Sequence, residues 1–158
     1  MKDKTLKLTR AALIAALYVI LTFLSQIFGL ASGVIQFRLS EGLTFMPMLY
    51  KESVWGLTIG CMIANILTGC AAWDVIFGTH ATLLGALGTH YVGSKIPVLG
   101  PVFPIASNMI IVPFVLQMVY GAEESYWFLM ATVGLGEIVC CGLLGWNLYK
   151  AFKKVDLH

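Results

Sequence analysis

Residues 11–37, AALIAALYVILTFLSQIFGLASGVIQF, run 27 positions without a charged side chain. Comparable runs recur. Val54–Trp73, Val75–Ser94 and Ile96–Ala122 carry no charge, counting His as neutral, and Ser125–Tyr149 carries only Glu137. A helix that crosses a bilayer needs about 20 mostly apolar residues. The recurrence of that length points to an all-α membrane protein with several spans. The informative residues are then the few polar ones left inside the spans. An ionisable group at a span's centre costs roughly 2.5–3.5 kcal/mol even on the mildest insertion scale.

Of the 158 residues, 11% are charged, against about 25% for a soluble domain. Residues 1–158 therefore read as a single transmembrane domain, with room for five or six spans and none for a separate soluble domain. A net charge of +2 is too small to suggest nucleic acid as a partner. The cysteines are Cys61, Cys70, Cys140 and Cys141, with no C-x-x-C spacing, so they read as small buried side chains and no metal or cofactor is expected. Met1–Arg10 resembles the basic start of a signal peptide, but the apolar stretch behind it is too long and no A-x-A site follows. It reads as a retained first helix.

Six helices are expected, over about 9–30, 36–50, 53–70, 74–93, 98–120 and 125–149. The second is the shortest, with Arg38 and Glu41 near its start. With both termini cytoplasmic, Lys2, Lys4, Lys7, Arg10, Lys51, Lys95, Lys150, Lys153 and Lys154 lie inside, and Arg38 alone among the basic residues lies toward the outside. That is the positive-inside asymmetry. Five spans would put the C-terminal basic cluster outside.

Small residues recur every four positions. Gly56, Gly60, Ala64 and Thr68 form one stripe and Ala81, Gly85, Thr89 and Gly93 another, both suited to close packing of helix backbones. In the first helix Ala11/Ala15 and Ala12/Ala16 are similarly spaced. Two uses are open for them: packing inside the bundle, or facing a partner helix.

Under this topology the polar residues gather in the outer half: Arg38, Glu41, Asn65, Trp73, Asp74, His80, Asn108, Gln117 and Glu137. An outward-facing pocket follows, rather than a continuous pore. Each residue also has a plain reading. Arg38 and Glu41 are three apart and can pair on one helix face. Asp74 can be a helix N-cap, Trp73 an interface anchor, and Asn65 and Asn108 interhelical hydrogen bonds. His80 can be a packed histidine. Glu137 has no cation within a helical turn and is hardest to explain structurally. Three carboxylates against one arginine favour a ligand that is cationic or rich in hydrogen-bond donors. A tryptophan beside an aspartate suits a flat heteroaromatic ring.

The segments Thr9–Tyr18, Ile35-Gln-Phe-Arg-Leu-Ser-Glu41, Gly60-Cys-Met-Ile-Ala-Asn65, Trp73-Asp-Val-Ile-Phe-Gly78 and Ala81-Thr-Leu-Leu84 together resemble the QueT family. Those proteins are substrate-binding S-components of energy-coupling-factor (ECF) transporters, assigned to queuosine precursors. The resemblance is looser around Asn108 and Gly136-Glu137. It implies an ECF S-component-like bundle of six transmembrane helices in the cell membrane. It implies a deazapurine substrate such as preQ1 or queuine, bound from outside. It also implies docking through helix 1, at Ala11, Ala12, Ala15 and Ala16, onto a membrane-embedded T-component coupled to two cytoplasmic ATPase subunits. Arg38, Glu41, Asn65, Trp73, Asp74, Asn108 and Glu137 are the expected substrate-binding residues. No G-x-x-x-x-G-K-[ST] motif is present, which fits dependence on separate ATPases.

Two rivals compete. A small secondary carrier for a cationic or heteroaromatic metabolite would usually show internal repeats, and none is convincing. An intramembrane hydrolase needs a nucleophile and a base. Ser32 lies one residue off the G-x-S-x-G spacing, and His80 and His90 have no serine at comparable depth. No catalytic residue is expected.

Overall fold

The computed structural model describes residues 2–30 and 35–155. Ser32 and the turn around it lie outside these. Every regular element among the described residues is helical, with six α-helices: α1 (Lys2–Ile27), α2 (Ser53–Leu67), α3 (Ala72–Gly88), α4 (Val102–Tyr120), α5 (Tyr126–Glu137) and α6 (Gly145–Val155). A π-helical stretch, Ile138–Leu144, joins α5 to α6, and another, Thr89–Gly93, extends α3. Three continuous helical segments are long and apolar enough to cross a membrane: Asp3–Ile27, Pro97–Tyr120 and Tyr126–Val155. Their number and length fit a multi-pass membrane protein.

The ends of the helices follow from local chemistry. The Ser125 hydroxyl caps α5 by accepting from the Phe128 N–H at 3.3 Å. Gly121 closes α4 in the left-handed conformation, φ 65°, with its N–H bonded to the Leu116 carbonyl.

The segment expected as a second α-helix over 36–50 is different. Gln36–Arg38 is irregular, with Arg38 extended (φ −99°, ψ 103°), and Leu39–Met48 is a ten-residue 3-10 helix. A 3-10 helix rises about 2.0 Å per residue, so ten residues cover about 20 Å. The backbone is shielded from lipid, because every residue from Ser40 to Pro47 is buried. Irregular backbone at membrane depth is tolerated only where protein or a cavity surrounds it.

This central segment returns the chain to its starting level, so α1 and α2 run in the same direction. Arg10 of α1 sits 3.5 Å from Glu52, just before α2, and 4.5 Å over the Tyr50 ring. Lys150 and Lys153 lie over Trp146 and Tyr149. One end of the bundle is therefore basic and aromatic. Next to it lies the apolar core, with Leu43, Phe45 and Met46 of the central segment packed against Ile14, Val54, Leu57 and Tyr149.

The small-residue stripes let the backbones meet. A Cβ on Gly56 would stand 2.7 Å from the Ala11 carbonyl oxygen, and one on Gly60 would stand 3.0 Å from the Ala15 Cα. Ala11 and Ala15 thus pack against α2, while Ala12 and Ala16 are exposed. Of the two uses left open by sequence, Ala11 and Ala15 take packing within the bundle.

Candidate functional site

The cavity lies at the end of the bundle opposite the basic residues. It occupies about 260 Å³ between the C-terminal half of α1, the turn after α2, the first half of α3, α4 and the irregular stretch 36–38. Its walls include Thr22, Gln36, Arg38, Asp74, Asn108 and Tyr120. A smaller, more enclosed chamber of about 40 Å³ adjoins it, lined by Gln36, Arg38, Glu41, Asn108, Val112, Val133 and Glu137. Gln36, Arg38, Asn108 and Val112 border both.

At the rim, Asp74 occupies the first turn of α3, where the helix dipole favours a carboxylate. It is not the N-cap: that position is Ala71, and Asp74 makes no capping bond. Instead Oδ2 accepts from the Tyr120 hydroxyl at 2.7 Å, and the same hydroxyl accepts from the Ala71 N–H at 3.2 Å. Tyr120 therefore ties the end of α4 to the start of α3 and orients the carboxylate.

Arg38 and Glu41 do not pair with each other. The Arg38 Nη2 donates to Asn65 Oδ1 at 2.6 Å, a bond that joins the irregular stretch to α2. Asn65 is 1% exposed, and its Nδ2 lies against Gly78 of α3. Glu41 is 2% exposed and accepts at Oε1 from the Tyr18 hydroxyl of α1, while its Oε2 is buried without a hydrogen-bond partner. Glu137, 8% exposed, accepts at Oε2 from the Cys141 thiol at 3.0 Å. One carboxylate oxygen from each glutamate and the Cys141 Sγ lie within 4.8 Å of one another. Asn108, on α4, borders this group. The floor of the cavity thus carries two buried carboxylates beside one guanidinium. Such a cluster attracts a single positive charge.

Six of the seven expected binding residues meet around these two chambers: Arg38, Glu41, Asp74, Asn108 and Glu137 in the walls, and Asn65 behind Arg38. Trp73 does not. It is 60% exposed and points away from the cavity, its ring stacked on Phe77 at 5.9 Å. Successive residues on a helix diverge by about 100°, so Trp73 and Asp74 cannot face the same way. His80 is also exposed, its Nδ1 set 2.7 Å from the Ile76 carbonyl oxygen on its own helix. Gln117 donates to the Glu124 carbonyl at 2.8 Å and braces the turn before α5.

Sequence reasoning missed Tyr18, Gln36 and Tyr120. Tyr18 stood in mid-span instead of at an interface, where a buried hydroxyl needs a partner; that was the available signal. Nothing in the spacing of Tyr120 marks it as the partner of Asp74.

A second concavity lies on the outer face of α1 and α2. Ala11, Ala12, Ala15, Ala16, Gly56 and Ile59 line an apolar groove of about 580 Å³. The four alanines expected at a docking face all border it.

A family model described as QueT transporter matches residues 8–154 of the chain. The chain is 32% identical over 167 aligned positions to a protein described as queuosine precursor transporter QueT, from Lactococcus lactis subsp. cremoris (strain MG1363). That alignment covers 99% of this chain and 98% of the relative. No solved structure matches.

Proposed function

This chain belongs to the QueT transporter family, and from that premise we propose that it is the substrate-binding S-component of an ECF uptake transporter, capturing a 7-deazaguanine queuosine precursor from outside the cell. The family is one of transporters, so the chain is not an enzyme. The observation that carries the proposal is the position of the polar chambers. They lie at one end of the bundle, and packed apolar side chains separate them from the basic end. A binding protein needs such a blind pocket; a channel does not.

The lining suits a donor-rich bicyclic base. The guanine-type edge of a 7-deazaguanine offers N–H donors, and the carboxylates of Asp74, Glu41 and Glu137 are acceptors when ionised. Arg38, Gln36 and Asn108 supply donors for the ring carbonyl.

The proposed topology has six crossings with both termini cytoplasmic, the second crossing being the stretch 36–48. The basic residues at the end opposite the cavity support that orientation. Docking through α1 is supported by Ala12 and Ala16, small side chains on an exposed helix face beside an apolar groove. With no nucleotide-binding motif, the chain relies on a T-component and two ATPase subunits for energy.

The test is to purify the chain alone. It should bind 7-aminomethyl-7-deazaguanine in detergent without ATP, and liposomes containing only this chain should accumulate none of it against a gradient. Uphill uptake by the chain alone overturns the S-component assignment.

A further inference from the structure

We propose that the small chamber between Glu41 and Glu137 is a subsite for a primary ammonium group carried by the ligand, and that it makes the protein select cationic over neutral deazaguanines. This rests on the deazaguanine reading above and specifies what that site discriminates.

Size is the first argument. A chamber of about 40 Å³ cannot hold a ring. A single water needs about 10–15 Å³ of such space, so the chamber has room for a small group of about three heavy atoms. A methylene bearing a nitrogen fits that description.

Charge is the second argument. Glu41, Glu137 and Arg38 all line the chamber, two carboxylates against one guanidinium. Among the described residues no ion pair joins them, since Arg38 donates to Asn65. One ligand cation completes the charge balance. It also relieves the repulsion between two carboxylates whose oxygens approach within 4.8 Å.

Hydrogen bonding is the third and independent argument. Glu41 Oε1 is held by Tyr18 and Glu137 Oε2 by Cys141, but Glu41 Oε2 is buried with no partner. A buried acceptor without a donor costs about 1–3 kcal/mol. An ammonium brings three donors. One reaches Glu41 Oε2, and the others face Glu137 and the Asn108 side chain. The larger chamber then takes the bicyclic ring, between Asp74 at the rim and Arg38 at the floor.

The experiment is a calorimetric series on the purified full chain in detergent at neutral pH. The probes are 7-aminomethyl-7-deazaguanine, its neutral 7-cyano analogue and unsubstituted 7-deazaguanine. The aminomethyl compound should bind about tenfold to hundredfold more tightly than either neutral one, the range expected of hydrogen bonds to a charged group. In Glu41→Gln and in Glu137→Gln that preference should shrink to a few-fold. Each preference is a ratio within one protein, so a general loss of stability does not imitate the effect. Equal affinity for all three ligands in the wild type overturns the subsite, as does a preference that survives both substitutions. If none of the three binds, the deazaguanine reading itself fails and the subsite with it.

Discussion

Gly136 of α5 lies directly against the backbone carbonyl of Gln36, so close that a methyl group on it would overlap that oxygen. The contact fixes the irregular stretch 36–38 against the last long helix, and that stretch is the wall from which Arg38 reaches Asn65. Gly136→Ala should therefore destabilise the protein and displace the site. Overpacking of a tight contact costs about 1–3 kcal/mol. The melting temperature of the unliganded protein should fall and ligand affinity should fall with it. An unchanged melting temperature would mean that the two backbones are not in contact.

Tyr120 orients Asp74 and does not replace it. Asp74→Asn should weaken ligand binding about tenfold to hundredfold, because a charged acceptor is lost. Tyr120→Phe removes only the orienting hydroxyl and should cost about 0.5–1.5 kcal/mol, typical of one hydrogen bond. Calorimetry on both variants checks the order. A larger loss for Tyr120→Phe than for Asp74→Asn would contradict it.

The packed and the exposed faces of α1 can be tested separately. Gly60→Ala would push a methyl group to 3.0 Å from the Ala15 Cα, and it should lower stability whether or not a partner is present. Ala12→Trp changes an exposed position. It should leave the melting temperature and ligand affinity nearly unchanged while abolishing copurification with the T-component and ATPase subunits. Normal copurification of Ala12→Trp would move the docking face elsewhere.

Orientation in the membrane can be read with single cysteines in a background where Cys61, Cys70, Cys140 and Cys141 are replaced by serine or alanine. A cysteine at Ala122 should react with a membrane-impermeant maleimide added to intact cells. One at Lys95 or Lys153 should react only after the membrane is opened. The reverse pattern would place the cavity toward the cytoplasm.

The helices were legible because charge-free runs and small-residue stripes depend only on local sequence. The run 96–122 contains α4, and the run 54–73 contains nearly all of α2 together with the turn after it and the start of α3. The stretch 36–50 misled because its composition suits a helix, whereas its conformation is set by neighbours. It is enclosed by α1, α2, α3 and the last long helix, which stabilise a 3-10 geometry that propensity alone does not favour. The polar residues were legible as a set, since each is expensive within an apolar span. Their partners were not. That Glu41 bonds to Tyr18, 23 positions away, and Arg38 to Asn65, 27 away, depends on how the helices are arranged in three dimensions. Trp73 shows the converse: adjacency in sequence to Asp74 carried no information about a shared direction.

The apolar packing beneath the cavity has an electrical corollary. Leu57 and Tyr18 are fully buried there, with Phe45 and Met46 nearly so, so apolar packing interrupts the path from the ligand chamber to the basic end. A membrane that holds this chain alone should be as resistive as bare lipid, with protons and small ions held back whether or not the chamber is filled. If the chain is a binding subunit as proposed, copies without a partner would leave a cell's ion gradients intact.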